Sequence, residues 1–121
     1  MIRFTVLLMT ILCLCSCRSF RLPEPKPWTP TEKTLAAASV GATVLNYIST
    51  TKMLDNPNNH ERNFYMGKRP SDLEVGLWMG FTETVVLTAA HYCPWPWLRK
   101  LLLLGKTTVN IRYSIHDFQM E

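Results

Sequence analysis

LEVGLWMGFTETVVLTAAHY, residues 73–92, holds two carboxylates, Glu74 and Glu83, among twenty otherwise uncharged residues. At about 1.5 Å per residue it makes a helix about 30 Å long, the depth of a hydrocarbon core. The stretch therefore reads as a candidate spanning helix. Gly76 and Gly80 form a G-x-x-x-G pair, a spacing that lets a second helix backbone approach closely. Glu83 lies near the middle, where an ionisable group needs a partner or a cavity. His91, eight residues on, falls on roughly the same face, so Asn46, Glu83 and His91 are the candidate intramembrane polar residues.

Upstream, Leu35 to Thr51 (LAAASVGATVLNYISTT) is free of charge over seventeen residues, the short end of the spanning range. Ala37 and Gly41 stand four apart, as do Ala38 and Ala42, and Asn46 follows. Thr29 or Thr31 is the expected N-cap, with Glu32 in the first turn. A small-residue seam made of Ala37, Gly41, Gly76 and Gly80 predicts a tight helical hairpin of residues 35–51 and 73–92. The fold class expected is all-α: a small membrane-associated hairpin followed by a C-terminal amphipathic helix, together spanning residues 31–118. In that third element Lys106, Asn110, Tyr113 and Asp117 share a face. Its basic residues, Arg99 and Lys100 among them, are expected to meet anionic headgroups.

The N-terminal end reads as an address. Arg3 precedes an apolar run, Phe4 to Leu14, of signal-peptide length and too short to span. It ends in Leu14-Cys15-Ser16-Cys17, which resembles the bacterial lipobox. Residues 1–16 are thus expected to be removed, and Cys17 to carry a diacylglyceryl anchor. Residues 17–30 then form a lipidated, proline-rich tether; alternating prolines from Pro23 to Pro30 favour an extended chain of about 3.1 Å per residue. The thirteen residues from Arg18 to Pro30 would reach roughly 40 Å. Trp28 is expected near the headgroups. The site is the bacterial cell envelope, with the inner or outer membrane undecided.

Between the two apolar stretches lies KMLDNPNNHERNFYMGKRPSD, residues 52–72. Asn56-Pro57-Asn58-Asn59 signals a turn, and Ser71 or Asp72 a helix start. The spacing Glu61-x-Asn63-x-x-x-Gly67-x-x-Pro70-Ser71, after a helix ending in Ser49-Thr50-Thr51, resembles a group of small bacterial and phage membrane proteins of uncharacterised function. Those carry E-x-N-P-x-x-G-x-x-P-S before their next helix. The likeness covers residues 43–116; Phe64 stands at the usual Pro, and Asn46 near a position where Asp is common. Physically, the motif is a re-entry: Gly67 supplies a positive φ and Pro70 precedes the helix.

Several classes of function are disfavoured. After removal of residues 1–16, twelve Lys/Arg stand against nine Asp/Glu, with no basic run interleaved with aromatics, so nucleic acid is not an expected partner. His60-Glu61 has no second His at the spacing zinc needs, and His91, His116 and Cys93 are scattered, so no metal or cofactor is expected. Cys17 and Cys93 offer no disulfide framework. No nucleophile–base pair is visible, and the chain reads as a non-enzyme. The expected partners are membrane lipid, other membrane helices or a second copy. The expected role is structural or interactive, including that of a phage-encoded factor acting on its host's envelope. Two alternatives remain open: a lysis protein resembling a one-chain spanin, and a transporter or enzyme component using Glu83.

Overall fold

The computed structural model describes residues 23–61, 67 and 69–120. The signal segment and Cys17 lie outside the described residues, as does Asn63 of the loop motif. The described chain is all-helical: α1 covers Pro30–Asp55, α2 Asp72–Tyr92 and α3 Pro96–Phe118. Their 26, 21 and 23 residues correspond to lengths of about 39, 31 and 34 Å.

The helix starts follow local chemistry. Thr29 caps α1: its hydroxyl accepts from Glu32 N–H, and its own N–H donates to Glu32 Oε2 at 2.7 Å. Ser71 and Glu74 repeat this capping box at α2. Two orphan amides are thereby satisfied at each start. Cys93 to Trp95 breaks the chain between α2 and α3, with Pro96 opening α3, as a proline pre-set for the first helical turn allows. The indoles of Trp95 and Trp97 face outward.

The turn after α1 is tied back on itself. Asn58 N–H donates to Asn56 Oδ1, and the Arg69 guanidinium donates to the carbonyls of Leu54 and Pro57, both at 3.2 Å. These satisfy carbonyls that a helix end leaves open. Gly67 has φ +81°, the conformation for which glycine is suited. Asn59 Nδ2 donates to Met53 O and to Met120 O, so the end of α3 lies beside this turn.

The third helix is more than an appendage to the pair formed by α1 and α2. The most extensive packing joins α1 to α3, and α2 packs less extensively against each. Three partnered pairs between α1 and α3 have one constant offset of 67 residues: Glu32 with Arg99, Thr43 with Asn110, and Thr50 with Asp117. A constant offset over two and a half heptads means that α1 and α3 run parallel and in register. α2 returns antiparallel, since Glu83 meets Ser39 and Thr43 while Gly76 meets Tyr47 farther along α1.

The small-residue seam is not the organising contact. A Cβ on Gly76 would meet the Tyr47 ring at 3.4 Å, but one on Gly41 or Gly80 would meet nothing. Ala37, Gly41 and Gly80 are exposed. The apolar core is small: Met53, Leu54, Val75 and Met79, with Tyr47 against them. Among the described residues, no helix is long and apolar enough to cross a membrane. Residues 35–51 and 73–92 therefore miss the apolarity expected of independent spans, because each helix places polar side chains on its inward face.

Candidate functional site

Along α1 the buried positions Ser39, Thr43, Asn46 and Thr50 follow one another by four, three and four residues. That spacing keeps them on one stripe facing a parallel neighbour. α3 answers with Arg99, Leu103, Asn110, Ser114 and Asp117. The seam is thus a heptad interface built mainly of polar side chains.

At its N-terminal end sits Arg99, 3% exposed. Its Nε donates to Cys93 O at 2.6 Å, one terminal nitrogen donates to Lys26 O at 3.3 Å, and the same nitrogen lies 3.8 Å from Glu32 Oε1. One guanidinium therefore joins the proline tether, the start of α1, the end of α2 and the start of α3. The fork of donors suits it to several acceptors at once. The expectation that Arg99 meets headgroups is overturned, since its charge is spent inside the bundle. Glu32 is held below the usual carboxylate range, first by the Thr29 backbone N–H and further by the Thr29 side chain and the Arg99 charge, against the opposing effect of burial.

Midway along the bundle, Glu83 is 6% exposed. Ser39 Oγ donates to Oε1 and Thr43 Oγ1 to Oε2, both at 2.7 Å. Asn110 Nδ2 donates to Thr43 Oγ1 at 2.7 Å, and Asn46 Nδ2 to Asn110 Oδ1 at 3.3 Å. The donors converge on Glu83 from α1 directly and from α3 through Thr43. Lys106, half-buried on α3, donates to Thr82 Oγ1 at 3.1 Å, and its charge acts on Glu83. Asn46 Oδ1 is buried without a hydrogen-bond partner.

Of the three polar residues expected at depth, Asn46 and Glu83 join one network. His91 does not: it packs edge-on to Tyr92 and 6.0 Å from the Trp28 ring. Trp28 and His91 instead line an open groove with Ala37, Val40, Leu87 and Tyr92. At the far end, Thr50 Oγ1 donates to Asp117 Oδ2 at 2.7 Å. Of the face shared by Lys106, Asn110, Tyr113 and Asp117, only Tyr113 points out. In the loop motif, Ser71 caps α2, Pro70 is buried and Gly67 turns the chain, while Glu61 is half-buried.

Sequence reasoning missed Arg99, Ser39 and Thr43. The signal for the two hydroxyls was present in the four–three–four polar spacing that leads to Asn46. Among the described residues no cluster of His, Cys, Asp and Glu could hold a metal ion. The chain matches no family model, no curated protein and no solved structure.

Proposed function

We propose that the chain is a lipid-anchored cell-envelope protein whose three-helix body lies in the bilayer and serves as a structural or interaction module. The observation that carries this reading is the inversion of its surface. Val40, Val44 and Ile48 point outward from α1, Leu73, Leu77, Phe81 and Val85 from α2, and Leu101, Leu104, Ile111 and Ile115 from α3. On α1 and α2 these residues recur every four positions, so each of those helices turns an apolar stripe away from its neighbours. Eleven of the twenty buried described residues are polar or charged, the reverse of a core formed in water.

A bilayer accounts for both halves of the pattern. Lipid covers the apolar stripes, and hydrogen bonds between helices satisfy the polar groups that lipid cannot. The polar inward faces also lower the mean hydropathy of each helix, so none of the three resembles an independent span. The lipobox at Cys17 supplies the anchor. The bond from Arg99 to Lys26 O ties the end of the proline tether to the helical body.

The test is sodium carbonate extraction of wild type and Cys17→Ser, with the mass of the N-terminus. Wild type should carry a diacylglyceryl group on Cys17, and both proteins should stay with the membrane because the helices hold the body there. Release of the body from both would sink the bilayer reading.

A further inference from the structure

We infer that the α2–α3 face around Lys106 docks a membrane helix of another protein, one that carries an Asp or Glu at mid-depth to pair with the Lys106 ammonium. The inference rests on the bilayer reading above and names the partner it implies. Lys106 stands ten residues from the start of α3 and twelve from its end, about 15 and 18 Å along the axis. That places it near the middle of a hydrocarbon core about 30 Å thick. A lysine side chain is shorter than either distance, so the relief open to lysines near helix ends, reaching out to the headgroups, is closed to it. Its ammonium turns instead to Thr82 on α2.

That charge lacks a counter-charge at contact. An ammonium has three donors, and among the described residues Lys106 makes one hydrogen bond, to Thr82 Oγ1, and no ion pair. Glu83, next to Thr82 in sequence, gives its two oxygens to Ser39 and Thr43 of α1. The chain has nine Asp and Glu residues. All but Glu83 stand in the tether, the loop, the tail or the first or last turn of a helix. A second copy thus offers no free acid at the depth of Lys106, and the occupant is a different chain.

The face has the shape a helix needs. Leu102, Lys106 and Val109 recur by four and three residues on α3, and Trp78, Thr82 and Val85 do so on α2, each set making one stripe. The Lys106–Thr82 bond joins the stripes at their middle. Trp78 and Leu102 are half-buried, and Val85 and Val109 are exposed. A helix laid along this face packs apolar side chains above and below its acid. The two charges then satisfy each other where lipid satisfies neither.

The experiment places the purified full chain in phosphatidylcholine vesicles with a synthetic leucine–alanine spanning peptide bearing one Asp at its centre. Resonance energy transfer between labels reads the association. The Asp peptide should bind at least tenfold more tightly than the same peptide with Leu at that position. The gain should vanish in Lys106→Met, and also in Lys106→Gln, which keeps a donor for Thr82 and guards against a folding defect. Equal binding of the two peptides by wild type, or a gain that persists in both variants, overturns the inference. Loss of the gain on adding phosphatidylglycerol would assign the cation to lipid. Peptide-free transfer between wild-type copies that depends on Lys106 would assign it to a second copy, and either result overturns the inference as well. Carbonate extraction of the same vesicles reads the bilayer placement separately, so failure there is distinct from failure of docking.

Discussion

α1 meets α2 and α3 by two different means. Against α2 near its C-terminal end it uses Tyr47, Met53 and Leu54, which pack on Val75 and Met79. Against α3 it uses a seam of hydroxyls, amides and charges held by directed bonds at a constant offset of 67 residues. The apolar contact is tolerant of sliding, because methyl groups carry no register. The polar seam is not: a slip of one residue would separate Thr43 from Asn110 and Thr50 from Asp117 together. Polar residues at interior heptad positions fix register in this way, at some expense of stability. The two contacts divide the work, with the seam setting alignment and the cluster filling space.

The largest expected effect comes from breaking the seam at its charged end. Arg99→Met leaves Glu32 without its cation and the carbonyls of Cys93 and Lys26 without their donor. Loss of one partner of a buried pair costs about 3–5 kcal/mol, measurable by chemical unfolding in detergent micelles. Arg99→Lys should recover only part, because a point charge cannot serve three acceptors in different directions. The same end gives the seam an acid limit. Glu32 has a folded-state pKa held below its ordinary value, so its contribution is present above the unfolded pKa and disappears as pH falls through the lower, folded one. Glu32→Gln should flatten that acid limb in a pH series of unfolding midpoints, and an unchanged limb would move the acid sensitivity elsewhere.

A second pair of substitutions sharpens the contrast by changing the medium. Met79→Ala removes buried apolar volume, which in water costs about 2–5 kcal/mol. In a bilayer the transfer part of that cost falls away, since lipid tails are as apolar as the site it leaves, and about 2 kcal/mol of lost packing should remain. Asn110→Ala cuts the bonds to Thr43 and Asn46, and bonds between helices in lipid are worth about 0.6–2 kcal/mol each. Met79→Ala should therefore lose part of its effect on moving from mild detergent to thick bilayers, while Asn110→Ala keeps its own. Parallel unfolding series in the two media read the difference directly.

What the sequence made legible was local. Thr29 and Ser71, each one of two N-cap candidates, cap their helices and Gly67 turns the chain, because each depends on neighbours only a few residues away. The partners of Glu83 depended on register between helices distant in the chain, and no single helix contains that information. His91 was placed with Glu83 by its spacing of eight, yet it turns toward Trp28, since eight residues carry a helical position some 80° around the axis. Arg99 was read as a surface cation because α3 looked like an isolated amphipathic helix. Its polar face is in fact the inner one, and only the parallel pairing with α1 shows which side is in.

The smallest expected effect concerns the glycines, and it bears most directly on how the helices meet. A tight glycine seam would make Gly41→Ala and Gly80→Ala disruptive, because each new methyl would push two backbones apart. Here a Cβ at either position meets no atom within 4 Å. Removing a mid-helix glycine at an unstrained site stabilises by about 0.5–1 kcal/mol, so both variants should unfold slightly later than wild type. Gly76→Ala differs, because the Tyr47 ring lies 3.4 Å away. That ring must yield by a few tenths of an ångström, which offsets the helical gain and leaves a change near zero. If Gly41→Ala or Gly80→Ala instead weakened the purified protein in nanodiscs, a partner helix would have to be covering the outer face of α1 or α2. The comparison drawn above would then gain a third contact, made by small residues rather than by cluster or seam.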